Sequence, residues 1–334
     1  MSPIFFSLLK GGKSMKSLIY PRPLRAGDKV ALTAPSSPVP AKNLEAAVAS
    51  IEFMGLIPVV MDSCHLHHGY MAGTDAQRAA DLNRAFADPD ICGIFCLRGG
   101  YGASRLLPLL DFGMICRNCK TFIGYSDITA LHTAISRLCG FVTFHGPMPN
   151  TDYRRLDSFT LDSLKTALFG PYDQMSLKNP EDEDMVMMNG GTAEGILTGG
   201  NLSLLASTLG SPYEIHTKGR ILFIEDVGER PYRLDKSLNA LALAGKFRDC
   251  SGIILGTFAE CDEPDHDTIP PGTVIASSSL SLTEIIEEVV LPWKKPTLFN
   301  FRAGHIYPQS TLPMGGLIRM ELDAVSSAAE LSVL

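Results

Sequence analysis

Three side chains far apart in a sequence of 334 residues, Ser126, Glu225 and His305, have the types that covalent acyl transfer uses. A serine hydroxyl is a weak nucleophile until an imidazole takes its proton, and a carboxylate commonly fixes the tautomer of that imidazole and stabilises its protonated form. Ser126 stands in Lys120-Thr121-Phe122-Ile123-Gly124-Tyr125-Ser126-Asp127-Ile128-Thr129-Ala130-Leu131, where a β-type run meets a glycine, then the serine, then a helix-forming segment. Such a turn lifts the hydroxyl clear of a sheet, and the helix start offers N–H groups to a developing oxyanion. The same position also suits a plain helix cap, although Thr129 occupies the place where a capping box carries Glu or Gln. Glu225 follows four apolar residues, so a strand carries its carboxylate into a core where it needs a partner. His305 lies on a loop after a β-type run at 297–301. The order Ser, Glu, His is that of α/β-hydrolases, but Ile128 replaces the second glycine of their Gly-x-Ser-x-Gly elbow.

A second anion-facing element is Arg98-Gly99-Gly100-Tyr101-Gly102, whose glycines let backbone N–H groups approach a negative charge. It lacks the Gly-x-Gly-x-x-Gly order and the Walker lysine, so a nucleotide is not indicated. Its N–H groups suit half of an oxyanion hole, or the glycines serve only a tight turn.

The elements that must position these groups alternate. Strand patterns at 29–35, 57–60 and 91–97 are separated by helix patterns at 43–54 and 75–86, followed by the strand–serine–helix unit itself. Alternation at this spacing predicts βαβ units, hence an α/β fold with a mostly parallel sheet flanked by helices. Ligands in such folds sit beyond the carboxyl ends of the strands, where loops at Ser36-Ser37, Arg98 to Gly102 and Gly124 to Asp127 converge. Past a helix at 156–168 the texture changes. Residues 171–188, with Glu181-Asp182-Glu183-Asp184, read as a solvated linker, between an α/β domain over 17–170 and a smaller β-rich domain over 189–323. The second part has strand patterns at 220–226 and 252–258 and helix patterns at 202–209 and 232–244.

Composition narrows the function classes. A formal charge of -7, with no long basic run, argues against a nucleic-acid surface. No apolar stretch approaches the roughly 20 residues of a bilayer helix. The segment Met1 to Leu9 has neither a preceding basic residue nor a following small-residue cleavage site, so a cytoplasmic location is expected, with Met15 an alternative start. The cysteines at 64, 92, 96, 116, 119, 139, 250 and 261 read mostly as buried small hydrophobes in a reducing compartment. Cys116 and Cys119 have redox or zinc spacing without a second pair, and His65, His67 and His68 lack accompanying carboxylates or cysteines, so no metal and no cofactor is expected.

From about Arg25 to Gly315 the chain resembles the LD-carboxypeptidase family of serine peptidases, which includes murein tetrapeptide carboxypeptidases and microcin C immunity peptidases. The resemblance rests on Arg98-Gly99-Gly100-Tyr101-Gly102, Gly124-Tyr125-Ser126-Asp127, His145-Gly146-Pro147, Gly199-Gly200-Asn201-Leu202, Ile224-Glu225-Asp226 with Pro231-Tyr232-Arg233, Gly304-His305 and Thr311-Leu312-Pro313-Met314-Gly315. It implies Ser126 as nucleophile, Glu225 and His305 as the other triad members, and an oxyanion hole from the N–H groups of Asp127 and Gly100. The active site then lies between the two domains of an enzyme type that is commonly a homodimer. Two positions depart from the pattern: Arg302-Ala303 stand where Pro-x-Gly-His is frequent, and Lys236 stands where arginine is usual beside Asp235.

The activity so implied is release of terminal D-alanine from a muropeptide tetrapeptide, across a bond from an L to a D centre, in cell-wall recycling. Its terminal carboxylate needs a cationic recess, for which Arg98, Arg233 and Arg302 are candidates. An immunity-type peptidase that cleaves an aminoacyl nucleotide antibiotic is the alternative within the class. A small-molecule binding protein without catalysis, with Ser126 as a cap, is the alternative outside it.

Overall fold

The computed structural model describes residues 19–262 and 279–334 apart from 325 and 327, so the readings made on Met1 to Leu9 and on Met15 lie outside the described residues. β1 (Lys29–Thr33), β2 (Ile57–Val60), β3 (Ile91–Cys96), β4 (Thr121–Gly124) and β5 (Thr143–His145) alternate with the helices Ala41–Phe53, Asp75–Ala87 and Thr129–Leu138. These strands lie side by side in the order β2-β1-β3-β4-β5, all parallel. Burial on both faces explains their unbroken apolar runs. Ile94 and Cys96 pack with Phe86, Phe122 and Leu131 on one face, while Phe95 and Leu97 pack with Leu32, Ile123 and Phe144 on the other. The helix Asp75–Ala87 starts where its sequence says it should, at a capping box between Thr74 and Gln77.

The rest of the chain forms β6 (Val186–Asn189), β7 (Gly191–Asn201), β8 (Arg220–Val227), β9 (Gly252–Ala259), β10 (Thr297–Phe299), β11 (Leu312–Met314), β12 (Leu317–Asp323) and β13 (Ala328–Val333). Seven of these form a second sheet in the order β13-β12-β7-β8-β9-β10-β6, parallel from β7 to β10 and antiparallel at both margins. Helices Leu202–Ser207, Pro231–Leu243 and Leu282–Val289 cover one face, through Leu205, Leu234, Leu238 and Ile286 on Leu222, Ile224 and Leu255. The chain is therefore α/β, with a parallel-rich first sheet flanked by helices and a strand-rich second part.

Three features differ from the sequence reading. Part of the stretch expected to be a solvated linker is structured: β6 pairs with β10, and Ser176 bridges to Ser332. Its acids stay at the surface, but Met185 and Met187 turn onto the core of the second sheet. β13 continues that sheet beyond residue 323. β11 leaves it altogether, joining β5 of the first sheet with Leu312 opposite His145. Leu312 and Met314 also pack on Phe223 and Ile254, so the two sheets share a core at this strand. Among the described residues no helix is long and apolar enough to cross a membrane.

Candidate active site

Ser126 sits in the turn between β4 and the helix Thr129–Leu138 with φ of +66°, the left-handed region that L residues avoid. The turn around it requires glycines. A Cβ on Gly124 would stand 2.9 Å from Ile128 Cγ1 and 3.1 Å from Cys96, and one on Gly99 would stand 2.7 Å from Ser126 Oγ. Ile128 thus fills the face of Gly124, which is how the elbow closes without a second glycine. Ser126 does not cap a helix: neither the short 3-10 turn Ser126–Ile128 nor the following helix has a side-chain cap. Its hydroxyl has no hydrogen-bond partner among the described residues, and such contacts in free enzymes often tighten only when substrate binds.

Loops at the ends of β1, β3 and β4 interlock around this serine. Asp127, wholly buried, accepts hydrogen bonds from Ser36 Oγ at 2.6 Å and from the Ala103 N–H at 2.8 Å. Burial pushes its carboxyl above the ordinary range, and these two bonds and the charge of Arg78 oppose that. The Tyr101 N–H reaches Ser37 Oγ at 3.3 Å, and a Cβ on Gly100 would overlap the same hydroxyl. The carboxylate of Asp127 is therefore structural. Its N–H belongs to the first turn, whose donors have no intrahelical acceptor.

Glu225 comes from β8 and is wholly buried. The register between β8 and β9 shifts between Ile224 and Asp226, a bulge that buries both acids in succession. Asp226 is used to tie down the second sheet: it accepts from Asn201 Nδ2 at 2.8 Å and from the N–H and hydroxyl of Ser203 at 3.0 and 2.8 Å. Glu225 Oε2 lies 2.8 Å from His305 Nδ1. Burial raises the Glu225 carboxyl, and the bond and charge of His305 pull it back. With Nδ1 donating to this carboxylate, Nε2 is left with a lone pair, the form a general base needs.

Two contacts join the elements around Ser126 to the second part of the chain. The ring of Tyr125, next to Ser126, meets His305 edge-on with centroids 4.9 Å apart. Thr129 Oγ1 accepts the Asn201 N–H at 3.0 Å, joining the helix Thr129–Leu138 to the end of β7. Thr129, the residue that fails as a capping-box partner, is thus a bond between the two parts of the chain. The sequence reading missed this role and that of Tyr125. Both lie inside or beside motifs it singled out, but their partners are more than 70 residues away.

The three arginines differ in what they can do. Arg302 Nη2 and Nε reach the carbonyls of Tyr307 and Pro308 at 2.8 and 3.3 Å, and Nη1 lies 3.2 Å from Glu183. It is committed to bracing the loop that carries His305. Arg233 is exposed and pairs with Glu229 at 3.5 Å and with the Tyr232 hydroxyl at 3.1 Å. Arg98, half-buried beside Gly99, makes among the described residues only a 3.5 Å contact to the Pro38 carbonyl.

The cysteine expectation changes at one pair. Cys116 bonds Cys139 in a disulfide, with Cα atoms 4.5 Å apart, where the helix Phe112–Ile115 meets the end of the helix Thr129–Leu138. Cys119, its neighbour in the Cys-x-x-Cys spacing, stays free, as do the other five. His65 and His67 line a groove with Glu45 and Glu52 on the helix Ala41–Phe53. Among the described residues no group of three His, Cys, Asp or Glu could hold a metal ion.

The chain is similar to known proteins along most of its length. A profile described as the LD-carboxypeptidase N-terminal domain matches residues 30–146, and one described as its C-terminal domain matches residues 194–320. A probable murein peptide carboxypeptidase of Bacillus subtilis is 38% identical over 327 residues, 96% of this chain and 98% of that protein. The murein tetrapeptide carboxypeptidase of Pseudomonas aeruginosa is 33% identical over 300 residues, 86% of this chain and 91% of that protein. The crystal structure of an MccF-like protein from Bacillus anthracis superposes with a TM-score of 0.79 at 26% identity, covering 95% of this chain and 99% of that one. With both halves matched in order and a relative 38% identical over nearly the whole chain, the chain belongs to the LD-carboxypeptidase family of peptidases.

Proposed function

We propose that this peptidase is a serine-type carboxypeptidase that releases terminal D-alanine from murein tetrapeptide. The observation that carries the reading is the 2.8 Å bond between His305 Nδ1 and the buried Glu225, held by Tyr125 against the turn of Ser126. Ser126 attacks the scissile carbonyl while His305 Nε2 takes its proton. The N–H groups of Asp127 and Gly100 receive the oxyanion. As the tetrahedral intermediate collapses, His305 returns the proton to the leaving amine, and water then resolves the acyl-enzyme by the same route. Arg98 is the cation left to read the terminal carboxylate, since Arg302 and Arg233 already have partners. No step calls for a cofactor. Cytoplasmic action in cell-wall recycling, and a homodimer, go with this reading through the family resemblance.

Three peptides test it: the tetrapeptide ending in D-alanine, its isomer ending in L-alanine, and the amide of the first. Inverting the terminal centre exchanges methyl and carboxylate directions, and losing the charge-assisted contact costs about 2–5 kcal/mol, or roughly thirty- to several-thousand-fold in kcat/KM. Only the first peptide should turn over well, with activity lost in Ser126→Ala. Comparable rates on all three, together with cleavage of an aminoacyl-sulfamoyl nucleotide, would instead assign the immunity-type reaction.

A further inference from the structure

A cleft of about 450 Å3, lined by Thr151, Arg155, Leu156, Asp157, Tyr307 and Pro308, opens at the loop that carries His305. We propose that it is an acyl-side subsite in which Arg155 binds a carboxylate of the substrate; the inference rests on the carboxypeptidase reading and deepens it.

Topology sets the side. Ser126 follows β4; Arg98 follows β3 on one flank, and the cleft follows β5 on the other. Strands lie about 4.8 Å apart, so the two flanks are roughly 10 Å apart across the serine. A peptide whose terminal carboxylate sits at Arg98 and whose scissile carbonyl sits at Ser126 therefore runs its acyl portion toward β5 and the cleft. Tyr307 connects cleft and catalytic centre: its hydroxyl interacts with Thr151 and Tyr125, and Tyr125 packs on His305.

Among the described lining residues the cation is Arg155, whose charge acts on nearby Asp152 but which forms no ion pair. Asp152, at φ of +61°, ends the turn Pro149–Thr151 and takes Arg154 through Nε and Nη2 at 2.7 and 2.8 Å. The Arg155 N–H bonds the Asp152 carbonyl at 2.9 Å, which pins its backbone, yet its guanidinium donates no hydrogen bond among the described residues. Asp157 faces the same cleft, but its oxygens accept the Thr160 N–H at 2.8 Å and hydroxyl at 2.7 Å. A guanidinium fork beside a tyrosine ring and a proline suits a planar carboxylate on a peptide chain. On the acyl side of a muropeptide that group is either a side-chain carboxylate of the residue supplying the scissile carbonyl, or the free α-carboxylate of an isoglutamyl residue before it.

Three tetrapeptides sharing the same scissile bond separate these sources: the diacid, and each of the two mono-amides. Wild-type protein should lose about 10- to 100-fold in kcat/KM, mostly through KM, on one mono-amide and little on the other. Arg155→Ala should turn over the diacid and the discriminated amide within about twofold of each other, and Arg155→Lys should retain part of the preference. Full acid-over-amide preference in Arg155→Ala, or none in the wild type, overturns the subsite while leaving the peptidase reading intact. Folded wild-type protein that cleaves none of the three overturns both.

Discussion

Gly304 passes so close over Glu225 that a Cβ on it would stand 2.5 Å from Oε2, the oxygen that holds His305 Nδ1 at 2.8 Å. The backbone at Gly304, with φ of +108°, is also one that a side chain strains. The glycine before the histidine thus lets the loop lie on the carboxylate while the next residue turns its ring down to it. Gly304→Ala should push this loop off Glu225. A misplacement of about 1 Å is enough to cost on the order of a hundredfold in kcat, so steady-state kinetics with circular dichroism as a folding control checks it.

The left-handed serine gives a stability test. Ser126→Ala and Ser126→Gly should both lose turnover by several orders of magnitude. Alanine keeps the strained backbone and glycine relieves it, an effect of about 1 kcal/mol partly offset by the entropy of glycine. Thermal melts should place Ser126→Gly above Ser126→Ala; the reverse order would argue that the turn is unstrained.

Burial raises the Glu225 carboxyl above its ordinary value of 4.5, with His305 acting against the rise. For a carboxyl raised on folding, the contribution to stability is whole below the ordinary value and is lost as pH climbs through the raised one. Above the ordinary value the buried Glu225 therefore costs stability. Glu225→Gln should melt higher than wild type at pH 7, by about 2 °C for each kcal/mol recovered, with the gap closing below pH 4.5. Its kcat should fall on the order of ten-thousand-fold, because an amide can present its NH2 to Nδ1 and hold the wrong tautomer.

Arg302 and Arg98 separate a brace from a reader. Arg302→Met removes the guanidinium from the Tyr307 and Pro308 carbonyls, and should lower kcat while leaving KM within about threefold. Arg98→Met should raise KM for peptides with a free terminal carboxylate, and leave that for the amide nearly unchanged. Matching KM effects in the two variants would return Arg302 to the substrate.

Much of this was legible in order along the chain. The apolar runs of β1, β3 and β8, the helix expected at 75–86, and the strand–glycine–serine–helix unit follow from local rules of periodicity and steric freedom, which need only neighbours in sequence. Those rules also set Ser126 in a strand-to-helix turn, Glu225 late in a buried strand and His305 on a loop. What they could not carry is any relation between residues far apart. That β11 crosses to the first sheet, that Arg302 is spent on its own loop, that Cys116 meets Cys139 rather than Cys119, and that Thr129 receives Asn201 all depend on partner choice. A strand edge, a guanidinium or a hydroxyl can be satisfied in many ways, and only the packed chain decides which acceptor lies within reach.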